Sequence, residues 1–298
     1  MKKNGYELLK LTRPRHWIKN FVVLLPLFFS FSFTSPAAWA QALSCAIVFC
    51  LASSIVYIVN DIEDRDRDCH HPVKKNRPIA SGAVSIKEAL ALLVVLAVIT
   101  VLLSLSLDLA TFVIILMYLL LQAAYTFFLK KHALLDVTCI SLGFVLRAVA
   151  GAIAIDVYIS HWLFICMFTL FLFMGFCKRY NEIAVIGSND QALLHRQALN
   201  SYDPAVLTHL ITLAASVFLI SFLLYSTSPE TIERFGGDYM VYTFPLVIIA
   251  VGRFAMLSIR GTYNDPVELI YKDILFAGTC AAWSVSILII LLLKQGVF

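Results

Sequence analysis

The sequence predicts an all-α polytopic membrane bundle of about nine transmembrane helices, and three observations predict it. Apolar residues make up 60% of the 298 and charged residues 14%, where a soluble domain carries roughly 25% charged. A soluble chain of this length has no core large enough to hide so much apolar side chain. The apolar residues fall in unbroken runs of spanning length rather than in strict alternation, and of the two structures that satisfy their backbone in lipid this pattern fits helices and not a barrel. Finally, Lys and Arg cluster on every second connection.

The predicted spans are 14–33, 38–60, 84–107, 109–129, 133–155, 161–178, 205–226, 240–259 and 273–293. The first needs most justification. A basic region over 2–19, an apolar run over 21–33 and Ala38-Trp39-Ala40 outline a signal peptide. The basic region is long, however, and a helix capped by Thr12 with Pro14 in its first turn would run to Phe33. Twenty residues at about 1.5 Å each reach about 30 Å, enough to cross the hydrocarbon layer. The later spans follow from length and hydropathy alone. No soluble domain or strict repeat interrupts them, so residues 1–298 read as one transmembrane domain.

Orientation follows from charge. Nineteen of the 23 Lys and Arg fall on one set of alternate connections, and only Arg234 and Lys294 on the other, with Arg147 and Arg253 inside spans. Cytoplasmic loops carry the positive excess, so the N-terminus is expected in the cytoplasm and the C-terminus outside. The seven cysteines contain no CxxC pair and mostly lie in apolar runs, so no disulfide framework is expected. Cys69-His70-His71 lacks a second ligand pair nearby and is a poor zinc candidate.

The second span runs out into Asn60-Asp61-Ile62-Glu63-Asp64-Arg65-Asp66-Arg67-Asp68. If the helix continues, Asp61, Asp64 and Asp68 share a face and Asp66 points away. Like charges so placed are relieved by a hard divalent cation, and Mg²⁺ takes one or two carboxylates together with substrate phosphate oxygens. The alternative is a solvated helix end paired with Arg65 and Arg67. Next comes a Pro-stiffened stretch, 71–82, carrying Lys74, Lys75 and Arg77. These cations suit phosphate oxygens, or anionic lipid if the loop is only a positive-inside loop. Carboxylates for a metal beside cations for phosphate form a pattern for handling a diphosphate.

Asn60-Asp61-x-x-Asp64-x-x-x-Asp68 at the end of the second span resembles the first Asp-rich motif of the UbiA-type intramembrane prenyltransferase superfamily. Arg13-Pro14-Arg15-His16-Trp17-Ile18-Lys19-Asn20, the stretch 71–82, Gly143-Phe144-Val145-Leu146-Arg147 and Lys178-Arg179-Tyr180-Asn181-Glu182 are similar to the decaprenyl-phosphate phosphoribosyltransferase branch. The resemblance implies transfer of 5-phosphoribose from 5-phosphoribosyl 1-diphosphate to a polyprenyl phosphate lipid. It also implies Mg²⁺ on Asp61, Asp64 and Asp68, and a bacterial inner membrane as the location. Nucleic acid is not an expected partner; a homo-oligomer is compatible with the sequence.

One departure from the wider superfamily is informative. Aromatic prenyltransferases carry a second Asp-x-x-x-Asp motif, and here that place holds Lys178-x-x-x-Glu182. A lysine there is expected to meet phosphate directly, against the alternative of an aromatic prenyltransferase using a polyprenyl diphosphate. An anion transporter, the other alternative, would call for paired broken spans at the midplane, and the charges instead gather at one face. The remaining candidates for substrate contact are Arg13, Arg15 and Lys19 at the start of the first span, for the phosphate of the lipid or as snorkelling cations. Asn60 belongs to the acidic motif, Tyr125 is a ribose, phosphate or interfacial-belt tyrosine, and Lys130 closes the fourth span. Arg147 lies inside the fifth span, where a lone charge is costly and functional by default, so a ligand phosphate or Glu182 is its expected partner. Arg179 is a further phosphate-binding candidate, and Arg253 reads as structural.

Overall fold

The computed structural model describes residues 2–30, 32–70, 72, 74–186, 202–261, 269 and 271–294, and among these every regular element is helical. His71, most of the expected polar connection 179–204 and part of 260–272 lie outside the described residues. Helix α1 covers Lys2–Leu11, a 3₁₀ segment Pro14–Leu24, α2 Leu25–Phe29, α3 Pro36–Glu63 and α4 Arg65–Cys69. Then come α5 Ile86–Leu107, α6 Leu109–Phe127, α7 Leu135–Ala154, α8 His161–Ile186 and α9 Pro204–Ser226. The chain continues with α10 Pro229–Phe235, a 3₁₀ turn Tyr239–Thr243, α11 Phe244–Ile259 and α12 Ile274–Lys294.

The long helices begin where short polar residues satisfy the first free N–H groups. Ser35 accepts from Ala38 N with Pro36 at the first helical position of α3. Ser85 and Glu88 form a reciprocal capping box on α5. Asp108 starts α6 by accepting from Thr111 N at 2.7 Å, and Asp203 starts α9 by accepting from Ala205 N at 2.7 Å.

Eight helical runs among the described residues are long and apolar enough to cross a membrane. They are α3, α5, α6, α7, α8, α9, α12 and the run Tyr239–Ile259 that includes α11. The expected first span, 14–33, is the correction. Thr12 does not cap it: the Thr12 hydroxyl donates back to Leu9 O, and Arg13, in the left-handed region at φ 53°, ends α1. The chain then winds as a 3₁₀ helix for 11 residues.

Packing explains that winding. At three residues per turn, Trp17, Asn20 and Val23 stack on one line. Trp17 Nε1 donates to Ser54 Oγ at 3.1 Å and Asn20 Nδ2 to Ser53 Oγ at 3.2 Å, both on α3. Val23 is fully buried, and a Cβ on Gly151 would stand 1.9 Å from its carbonyl oxygen. An α-helix would fan these three residues over about 120° and lose the line. The tighter winding also rises faster, about 2.0 Å per residue, so 14–29 still reaches about 30 Å.

The chain forms two compact units, 1–131 with 143–158 and 132–142 with 159–298, and α7 contributes to both. In the first, α3 packs on the 3₁₀ segment, α5 and α6 around Val23, Cys45, Val48, Phe49, Ala52, Ile115, Tyr118 and Ala150. Outward α5 side chains such as Val94, Val98 and Leu102 are exposed, as lipid-facing residues are. In the second unit α8 lies along α9 and α11 along α12. A ladder of Phe173, Phe254 and Phe276, with ring centroids 5.5 and 5.8 Å apart, ties its helices together. All seven cysteines are free thiols.

Candidate active site

The acidic cluster forms where α3 gives way to α4. Asp64 departs from helical geometry, yet its N–H still bonds Asn60 O at 2.9 Å and its carbonyl still accepts from Asp68 N at 2.8 Å. The helical register therefore carries through. At about 100° per residue Asp68 returns to within about 20° of Asp61, while Asp64 lies about 60° to the side. The side chains divide accordingly. Asp61 and Asp68 are buried, Asp64 is half-buried, and Asp66, Arg65 and Arg67 are exposed.

Each buried or half-buried carboxylate has a cation. Arg77 Nη1 reaches Asp68 Oδ2 at 2.5 Å and Asp61 Oδ1 at 3.2 Å, so one nitrogen bridges two carboxylates. Arg13 Nη2 donates to the same Asp61 Oδ1, and its guanidinium lies over the Tyr57 ring. Lys130 Nζ holds Asp64 Oδ1 at 2.8 Å. Asp61 Oδ2 is buried and has no hydrogen-bond partner.

Arg77 arrives on a short structured loop. Lys74–Asn76 form a 3₁₀ turn, Arg77 N bonds Lys74 O at 2.9 Å, and Ile79 plugs the loop into the core at 1% exposure. The turn closes through Gly82 at φ 74°. Lys74 is half-buried in that turn, and Asn60 and Tyr125 are half-buried on α3 and α6.

The three carboxylates expected from the sequence to share a metal ion are unequally placed. No group of three His, Cys, Asp or Glu among the described residues stands close enough to hold a metal ion. Cys69 and His70 instead bond loop and helix carbonyls, Ala80 O and Asp66 O. Asp61 and Asp68 are brought together and Asp64 is held aside on Lys130. Arg15 and Lys19, i and i+4 in the first span and so expected on one face of an α-helix, are instead turned about 120° apart by the 3₁₀ winding. Both are exposed.

Arg147 is 7% exposed, and among the described residues neither Glu182 nor any other carboxylate is its hydrogen-bond partner. Its Nε donates to Asn20 Oδ1, Nη1 to Gly143 O and Nη2 to Tyr118 OH, each at 2.8 Å. The rings of Tyr118, Phe144 and Phe49 lie 4.7, 5.3 and 5.9 Å from its Cζ. Neutral dipoles and ring faces thus solvate the charge.

In the second unit, Arg179 is 2% exposed and committed to two carboxylates. Its Nε donates to Asp136 Oδ2 at 2.7 Å and its Nη1 to Glu182 Oε2 at 2.6 Å. Tyr202 OH donates to the other Asp136 oxygen at 2.7 Å and accepts from Leu134 N at 2.7 Å. Burial, and then the bond to Asp136, push the Tyr202 hydroxyl above its ordinary range, so it stays a donor at physiological pH. Lys178, one residue before Arg179, is half-buried. Arg253 pairs with Asp273 through Nε and Nη2 at 3.1 and 2.7 Å. Asp136 and Tyr202 are the residues that sequence reasoning missed. The signal was a carboxylate inside an apolar run, which calls for a partner.

Fold and site together define a multi-pass helical membrane protein whose polar centre is a set of interlocked carboxylates and cations at a helix end. The chain belongs to the UbiA prenyltransferase family, which it matches over residues 22–270. It is 33% identical to the decaprenyl-phosphate phosphoribosyltransferase of Mycolicibacterium smegmatis, over 93% of this chain and 89% of that one. It is 29% identical to the protein of the same name in Mycobacterium tuberculosis, over 93% and 92% of the two chains. The fold matches that of a UbiA homologue from Archaeoglobus fulgidus, solved with GPP and Mg²⁺, at a TM-score of 0.72 and 17% identity, over 96% of this chain and 99% of that one.

Proposed function

We propose that this chain transfers 5-phosphoribose from 5-phosphoribosyl 1-diphosphate to a polyprenyl phosphate, releasing diphosphate, at the cytoplasmic face of a bacterial inner membrane. The observation that carries the reading is the similarity to decaprenyl-phosphate phosphoribosyltransferases along 93% of the chain. The bond from C1 to the diphosphate oxygen breaks, and the leaving group keeps the electron pair. A new bond forms from C1 to an oxygen of the acceptor phosphate. C1 gains oxocarbenium character on the way, as in other glycosyl transfers. The acceptor is already an anion at neutral pH, its second pKa being about 6, so no general base is needed.

The residues present fit Mg²⁺. Asp61 and Asp68 converge, Asp61 Oδ2 is buried without a partner, and two carboxylates with phosphate oxygens are the usual Mg²⁺ donor set. Asp61 and Asp68 would hold the ion, joined by Asp64 once it leaves Lys130, and the ion would supply positive charge to the leaving diphosphate. Arg13, Arg77 and Lys130 offer cations to the same phosphates once they leave the carboxylates. Lys178 contacts a donor phosphate directly, Arg15 and Lys19 bind the acceptor phosphate, Asn60 and Lys74 line the donor, and Tyr125 bonds ribose or phosphate. Arg147 and Arg179, both buried and committed to protein partners, act by holding their helices.

Membranes containing the chain, incubated with labelled 5-phosphoribosyl 1-diphosphate and polyprenyl phosphate, should yield a labelled lipid. No labelled lipid, with prenylation of an aromatic acid from a polyprenyl diphosphate instead, overturns the proposal in favour of the aromatic prenyltransferase.

A further inference from the structure

Two features of the acidic cluster do not suit a permanent salt bridge. Arginine pairs with a carboxylate most strongly through two parallel bonds, one to each oxygen. Here Arg13 and Arg77 crowd onto a single oxygen of Asp61 and leave Oδ2 buried and bare. Arg77 likewise uses one nitrogen for two aspartates, taking up the position between them that a shared cation would fill. In addition, Arg13 sits in the left-handed region at φ 53° and ψ 59°. A side-chain-bearing residue pays for that conformation, which persists where the surroundings impose it and is common at switch and ligand sites.

We infer that Arg13 and Arg77 are stand-ins for a divalent cation, and that their exchange onto phosphate makes cation binding at Asp61 and Asp68 conditional on a diphosphate-class anion. The inference rests on the proposed function only for that class of anion. With Arg77 seated, a free divalent cation must displace a guanidinium that has no other partner in the cluster. A diphosphate removes this obstacle, because its oxygens offer a guanidinium the bidentate partner that the carboxylates do not. The carboxylates are then free to take the cation together with phosphate oxygens. Each ligand thereby strengthens the other by the same factor. Lys130 and Asp64 repeat the arrangement on a smaller scale, a cation held by a carboxylate until phosphate arrives.

The test uses purified full-length protein in nanodiscs, with Mn²⁺ and inorganic pyrophosphate as probes. Free Mn²⁺ is followed by electron paramagnetic resonance, and labelled pyrophosphate by equilibrium dialysis with and without Mn²⁺. Wild type should bind Mn²⁺ weakly alone, and Mn²⁺ should tighten pyrophosphate binding about tenfold or more, within the range usual for coupled ligands. Arg77→Met, which adds no hard ligand, should bind Mn²⁺ alone about tenfold more tightly than wild type and show a smaller gain. Equal Mn²⁺ affinity in wild type and Arg77→Met, or no gain in wild type, would establish a static pair and overturn the inference. Should Arg77→Met fail to fold, Arg77→Gln carries the test, since it stays polar but removes the positive charge that competes with the cation: tighter Mn²⁺ binding supports the exchange, and unchanged binding refutes it. Neither probe contains ribose or a polyprenyl chain, so this outcome is independent of the labelled-lipid assay.

Discussion

Asp136→Asn separates a structural strut from a ligand site. Asp136 is fully buried and receives Arg179 on one oxygen and Tyr202 on the other, both at 2.7 Å. The substitution keeps size and shape but removes one of the two carboxylate charges, and the more deeply buried one, that compensate a guanidinium only 2% exposed. It also turns an amide N–H₂ either against the Arg179 Nε–H donor or towards the Tyr202 oxygen, which then loses the acceptor for its own O–H. Breaking one side of a buried pair costs about 3–5 kcal/mol. At about 2–4 °C per kcal/mol for a unit of 150–250 residues, the unfolding midpoint should fall by about 6–20 °C. Trp162 and Trp283 both lie in this unit, so tryptophan fluorescence during heating in detergent reads it. Tyr202→Phe loses one hydrogen bond and should cost about 0.5–1.5 kcal/mol. Well below the midpoint, donor KM should be nearly unchanged in both. An unaltered midpoint with a tenfold rise in donor KM would refute the reasoning and return Arg179 to the substrate.

Asp61→Asn, Asp64→Asn and Asp68→Asn should each nearly abolish labelled-lipid formation, while Asp66→Asn, whose side chain is exposed, should stay close to wild type; an essential Asp66 would undo the division of the helix into faces. Lys178→Ala should impair use of the sugar donor by about 10- to 150-fold, the loss of one charged hydrogen bond of about 1.5–3 kcal/mol, with little change for the lipid. Lys178→Asp should be worse, whereas the aromatic-prenyltransferase reading requires it to be tolerated; steady-state kinetics with each substrate varied in turn decides between them. Gly151→Ala should sharply reduce monodisperse protein on gel filtration, because its Cβ would stand 1.9 Å from Val23 O, while Gly252→Ala, with nothing within 4 Å, should not. A cysteine placed at position 75 should resist impermeant reagents applied from outside; labelling there would reverse the proposed topology.

The membrane character, the spans and the acidic helix end are legible in the sequence because they depend on neighbours in the chain: runs of apolar residues, and carboxylates three and four apart. What escapes is set by distant partners. Nothing near Asp64 announces Lys130, 66 residues on, and nothing near Asp136 announces Arg179, 43 residues on. The winding of 14–24 escapes for another reason. An apolar stretch scores alike as α or 3₁₀, and the choice is made by Ser53, Ser54 and Gly151 on other helices. Arg147 was legible as an anomaly but not as a solved one, since its shell of Asn20, Tyr118, Gly143 and three rings carries no opposite charge to search for.

That shell has a consequence for the membrane rather than for the reaction. Dipoles and ring faces lower the self-energy of Arg147 without cancelling its charge, so a full positive charge stays fixed within the hydrocarbon layer. In a medium of low dielectric constant its field reaches far. A sodium ion or a hydrated proton approaching Arg147 along α7 would meet a rising electrostatic barrier, the device by which a fixed arginine keeps protons and cations out of a water pore.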